Sequence, residues 1–182
     1  MSNESFVVPP LSRRDIRQYA DRIRQRLLIS EPYFPIVEVI ELVLPNVIAG
    51  FVFDVCDEAE MSERFGRGCH GMTFPDEKVM HIREDIYQRA RRGEGRDRLT
   101  MAHELAHLLL HPGQRFARRA SQATKPYAQS EWQANCFAGE LLMSYRHMAR
   151  CKSPYEMAEL FGVSTIAAET QWKSFKQDGI VD

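Results

Sequence analysis

Between Met101 and Leu110 the chain reads MAHELAHLLL, and His103, Glu104 and His107 are its only polar side chains. Met, Ala and Leu are strong helix formers and make such a helix apolar on nearly every face, which places it in a core. Two imidazoles and a carboxylate are costly to bury there unless something compensates them. Any fold of this chain must therefore put the helix at its centre and give those three groups a partner.

The remainder is compatible with one domain. At 182 residues the chain can bury a sizeable core, and 44% hydrophobic with 27% charged residues describes an ordinary globular protein. A formal net charge of −1 gives no global reason for nucleic-acid binding. No apolar run approaches the roughly 18 residues that cross a membrane. The opening MSNESFVVPPLSRRD lacks a basic segment followed by an apolar one, so no signal peptide is expected. Cys56, Cys69, Cys136 and Cys151 form no CxxC pair and read as reduced thiols of a cytoplasmic protein.

Ser12 and Asp15 predict a capping-box start to a helix whose Ile16, Tyr19, Ala20, Ile23 and Leu27 share a face. A second helix is expected in PIVEVIELVL behind Pro35, and a strand from Val47 to Val55. CHGMTF and KVMHIR flank Pro75-Asp76-Glu77 as a hairpin. A short helix, EDIYQRARR, precedes the central helix, which ends at Pro112-Gly113. Residues 114–129 read as a loop with Arg115, Arg118, Arg119 and Lys125 and no acid. SEWQANCFAGELLM is helical again, and residues 153–182 form terminal helices with a helix-turn-helix look. The class is α+β, mostly helical with a small sheet.

His103 and His107 are one helical turn apart on one face, so their ring nitrogens can converge on one tetrahedral zinc ion. Glu104 is rotated by about 100° and can reach a water there without being a ligand, the HExxH arrangement. A catalytic zinc takes three protein ligands. His111 lies roughly 12 Å along the axis from His103, too far for the same ion, and is expected to orient a ligand or to cap the helix C-terminus. Glu131 could supply the third ligand, with Asn135 one turn on holding a histidine through its second nitrogen. Equally, Glu131 could be a first-turn acid behind a Ser130 cap. Cys69 is a competing ligand, as in peptide deformylases, although their Glu-Gly-Cys-Leu-Ser pattern is missing. His70 has a similar standing, while His81 and His147 read as ordinary strand or surface histidines.

Taken together, RDRLTMAHELAHLLLH, EWQANCFAGELLM, GMTFPDEKVMHIREDIY and the opening ADRIRQRLL–PIVEVIELVLP resemble the ImmA/IrrE family of metallopeptidases. Ser144 stands where that family often has Pro, and His70 is not a position of its pattern. The resemblance implies a zincin-like fold over 1–182, zinc on His103, His107 and Glu131, and Glu104 as catalytic acid/base. It also implies a protein substrate, of the helix-turn-helix repressor or antitoxin type.

Two rivals remain at this level: a zinc-containing regulatory protein that binds without cleaving, and a DNA-binding regulator suggested by AELFGVS. The would-be recognition helix has Lys173 and Lys176 only at its far end, so direct DNA binding is not expected. Met157, Leu160, Phe161, Val163, Ile166 and Trp172 are instead expected to close the domain or receive a protein partner. Tyr127 and the basic loop are near enough in sequence to help stabilise an oxyanion, but no residue is assigned that role.

Overall fold

Ser12 and Asp15 do start the first helix in the computed structural model, which describes residues 5–113 and 119–181. The Ser12 hydroxyl accepts the Asp15 amide, and the Asp15 carboxylate accepts the Ser12 amide, at the head of α1 (Arg13–Arg26). Ile16 and Ala20 are buried as expected, and so is Arg24. The Arg24 guanidinium is compensated by the carbonyls of Glu31, Pro32 and Leu141.

The helix behind Pro35 is longer than expected. It runs from α2 (Ile36–Glu38) through a π turn at Val39–Val43 into α3 (Leu44–Val47). Ile36, Val37, Val39 and Ile40 are all buried, as is Leu44, so helical packing overrides the strand preference of the four β-branched residues. The strand expected from Val47 therefore begins only at Val52, after a left-handed turn at Gly50 (φ 79°).

The sheet has the order β1-β3-β2, from β1 (Val52–Cys56), β2 (Gly71–Phe74) and β3 (Val79–Arg83). β2 and β3 form the expected antiparallel hairpin, with Gly71 opposite Ile82 and Phe74 opposite Val79. β1 runs parallel to β3, with Asp54 opposite His81. That pairing needs a crossover, supplied by α4 (Glu58–Phe65), a helix the sequence reading did not anticipate. Met80 and Ile82 on one face of the sheet join the main core. On the other face Cys56, Met61 and Cys69, flanked by Phe65 and Met72, make a small separate cluster under α4.

α5 (Glu84–Arg91) leads to the central α6 (Gly95–Leu110), whose Met101, Ala102, Leu105 and Ala106 are inaccessible to solvent. α7 (Ser130–Leu142) packs along it through the small side chains Ala134 and Ala138, both buried. α7 also rests on α1, where Arg17 donates two hydrogen bonds to the buried carboxylate of Glu140 (2.8 and 3.0 Å). Ser130 is not the cap of α7. Gln129 occupies that position, and the Ser130 hydroxyl accepts the Phe6 amide (3.0 Å) because the N-terminal stretch lies beside the start of the helix. Arg115 and Arg118 of the basic loop lie outside the described residues.

A 3₁₀ turn (Tyr145–Arg150) leads to α8 (Pro154–Phe161) and α9 (Thr165–Gln177). The turn between them is pressed into the domain. Arg98, itself buried, donates to the carbonyls of Phe161 and Gly162, and a Cβ on Gly95 would come within 2.4 Å of the Ser164 amide nitrogen. Met157, Phe161 and Val163 close the core, with Leu160 and Trp172 packed against it. Ile166 does not. It is 78% exposed, because it lies on the outer side of α9's first turn while Ala168 faces inward. Among the described residues no helix is long and apolar enough to cross a membrane.

Candidate metal centre

α6 presents His103 and His107 on the side that faces α7, and α7 presents Glu131 from its first turn. The Nε2 atoms of the two histidines are 3.0 Å apart. Glu131 Oε2 lies 3.3 Å from His103 Nε2, and Oε1 lies 3.2 Å from His107 Nε2. Neighbouring ligands on a tetrahedral zinc stand about 3.3 Å apart when each bond is near 2 Å. The two nitrogens and the Glu131 carboxylate thus converge at distances close to the edge of such a tetrahedron. His103 is buried, whereas the side chains of His107 and Glu131 keep 18% and 23% exposure, so the fourth corner can be reached from solvent.

The proton positions follow from the outer partners. Gln133 donates its amide nitrogen to the carbonyls of Pro9 and Tyr127, both at 2.8 Å, which points its oxygen at His111. That oxygen can only accept, so His111 carries its proton on Nε2 (3.2 Å). Burial is the largest cause that lowers the His111 pKa to about 4, so its Nδ1 is a bare acceptor. His107 must then donate from Nδ1 to His111 Nδ1 (3.1 Å). Likewise His103 donates from Nδ1 to Asn135 Oδ1 (3.0 Å). Both Nε2 atoms are thereby turned toward Glu131, where among the described residues they meet each other and its carboxylate. Such a group could hold a cation, and two imidazoles with a carboxylate are a donor set that suits zinc.

Glu131 fits the same reading. Burial works against its ionisation, but the two imidazoles outweigh burial and hold its pKa at about 2. Burial also opposes protonation of His103, but the carboxylates of Glu131 and Glu104 raise its pKa overall.

Glu104 projects from α6 toward β2. Thr73 donates to Glu104 Oε2 (2.7 Å) and also touches its backbone carbonyl (3.2 Å). A Cβ on Gly71 would come within 2.7 Å of Glu104 Cγ and 2.9 Å of Ile82 Cδ1, so only glycine leaves room for this carboxylate.

The structure thus brings His103, His107 and Glu131 together, with Asn135 and His111 behind the two histidines. His111 is the C-cap residue of α6, its backbone N–H donating to the His107 carbonyl, but its imidazole is neutral and brings no positive charge to the helix end. Cys69 is elsewhere: its thiol donates to the Gly71 carbonyl (3.2 Å) within the small cluster under α4. His70 offers its carbonyl to the Arg83 amide. Tyr127 contributes a carbonyl to Gln133, with its side chain half exposed. Three residues of the site went unread in the sequence. Gly71 and Thr73 were visible only as a glycine inside a strand pattern, and Gln133 as a polar residue two places after Glu131.

A search of curated proteins returns no match to the chain. Residues 68–173, more than half of the chain and the segment that runs from β2 into α9, match the family model described as the IrrE N-terminal-like domain of peptidase family M78. With an α+β architecture consistent with a zincin-like peptidase domain and a convergent metal-ligand set inside the matched segment, the chain belongs to the IrrE N-terminal-like family of metallopeptidases.

Proposed function

We propose that the protein is a zinc-dependent endopeptidase, with His103, His107 and Glu131 as ligands and Glu104 as general base. The observation that carries this is the pair of Nε2 atoms 3.0 Å apart beside a carboxylate. Zinc supplies Lewis acidity there, acidifying water and polarising a peptide carbonyl. Glu104 accepts the proton and returns it to the leaving amine, with Thr73 fixing which carboxylate oxygen is engaged. Asn135, His111 and Gln133 keep both imidazoles in the ligating tautomer.

β2 is an edge strand among the described residues and carries the two residues that cradle Glu104. An extended peptide pairing with β2 would be held through its main chain beside the metal. A protein substrate follows, and the ImmA/IrrE resemblance favours a helix-turn-helix repressor or antitoxin-like regulator. The four cysteines are free and buried, which suits a cytoplasmic setting. The α8–α9 pair spends its turn on Arg98 and Gly95 rather than presenting it, so a role in duplex binding is not part of this reading.

The test is co-expression with a candidate regulator, mass spectrometry of the products, and metal analysis of variants. A cleaved regulator that disappears on chelation is expected, with Glu131→Gln losing most of the metal from this site and Cys69→Ser keeping it. Binding without cleavage would turn the reading to a regulatory protein. The reverse metal pattern would move the third ligand to Cys69.

A further inference from the structure

A second group of ligand-type side chains lies on the face of the sheet covered by α4. We propose that Asp54, Cys56 and His81 form a second, exchangeable zinc-type metal site, independent of the one between α6 and α7. Asp54 and Cys56 are two apart on β1 and so point to the same face, and His81 is the register partner of Asp54 on the parallel neighbour β3. The backbone thus brings all three donors together. Cys56 Sγ lies 3.3 Å from Asp54 Oδ2 and 3.8 Å from His81 Nδ1, and His81 Nδ1 lies 2.9 Å from Asp54 Oδ2. A tetrahedral zinc with one thiolate, one imidazole and one carboxylate needs edges of about 3.3–3.6 Å. Each observed edge falls within about 0.4 Å of that range, which is also how closely the helical site meets it.

Access and charge agree. Cys56 and His81 are buried, while the Asp54 side chain is 42% exposed and opens the cluster to solvent. Arg64 already hovers over the group: its guanidinium is 3.5 Å from Asp54 Oδ2, 3.7 Å from Cys56 Sγ and 3.4 Å from His81 Nε2. Those contacts are long. Its one short hydrogen bond is to Glu60 (3.0 Å), and its side chain is 40% exposed. It can therefore swing outward while staying close to Glu60, vacating a position that attracts a cation. In the metal-free state the thiol keeps its proton and donates it to Asp54. Metal binding displaces this proton, and the His81 proton moves from Nδ1 to the Nε2 that Arg64 vacates, so that Nδ1 can ligate. A thiolate with an imidazole selects zinc-like ions over magnesium or calcium, and three protein donors leave one corner open. The cluster under α4 buries few apolar side chains, so such an ion would staple β1 to β3 where hydrophobic packing is thinnest.

Cobalt(II) added to the metal-free full-length protein distinguishes the two sites, because no donor of the helical site is sulfur. Two bound equivalents are expected, with a thiolate-to-cobalt charge-transfer band in the near ultraviolet. That band should vanish in Cys56→Ser, persist in His103→Ala and Cys69→Ser, and need about tenfold more cobalt in Asp54→Asn, whose exposed position makes it the variant safest for folding. Arg64→Ala should strengthen the second binding event by removing the competing cation. A wild-type protein without the band, or a band that survives Cys56→Ser, overturns the site. Loss of cleavage in His103→Ala with the band intact would report on the helical site alone.

Discussion

The two ligand clusters rest on opposite kinds of scaffold. Between α6 and α7 each histidine has its second nitrogen occupied, by Asn135 or by the His111–Gln133 chain, so the tautomers are set before any ion arrives. On the sheet the only partner of His81 Nε2 among the described residues is Arg64, a half-exposed side chain that must move. The comparison teaches that outer partners, more than the donors themselves, separate a preorganised centre from a convertible charge network.

The sharpest way to break this comparison is at Glu104, which the sheet cluster does not have. Glu104→Gln should reduce peptide cleavage by about 10²–10⁴-fold while metal content stays at the wild-type level. Cleavage at near wild-type rate would assign the proton transfer to another group. Next comes Gly71→Ala. Its new methyl would displace the Glu104 side chain, and a 1 Å shift of a reacting group costs up to about 100-fold in rate. Turnover should fall while metal affinity is unchanged, and equal loss of both would mean that β2 supports the ligands as well.

Gln133→Leu probes the outer partners directly. With no acceptor at its Nε2, His111 loses its fixed tautomer, and metal affinity at the helical site should weaken about 10–100-fold by competition with a chelator. Unchanged affinity would show that His111 is oriented by packing alone. The smallest effect is on stability. Saturating metal at about 100 times its Kd contributes about 2.7 kcal/mol, so chelation should lower Tm by roughly 5–10 °C for a chain of this size. Little change on stripping a verified helical site would mean that its ligands are already held by the fold.

Much of this molecule is legible locally. The capping box of α1, the hairpin around Pro75-Asp76-Glu77 and the boundaries of α6 and α7 each depend on residues a few positions apart. So does the one-turn spacing of His103 and His107. What escaped the sequence is non-local or weakly patterned. EAEMSERF has one buried residue in eight and reads as polar, so α4 was missed, and with it the crossover that makes β1 and β3 parallel. The stretch from Val47 reads as a strand because Val and Ile favour β structure, yet its first residue finishes a helix whose burial against the core decides the matter.

By itself, then, the sequence determined that a buried helix carries two histidines on one face and a carboxylate beside them, because helical geometry is set by neighbours three and four residues apart. Only the tertiary structure decided which acid joins them. Ala134 and Ala138 let α7 lie close to α6, and that approach brings Glu131 to within 3.3 Å of both imidazoles and Gln133 to the back of His111. Packing likewise decided that His81, an ordinary strand histidine in the sequence, shares a buried corner with Cys56 and Asp54. Contacts between distant segments depend on how whole faces fit together, and no local spacing encodes that fit.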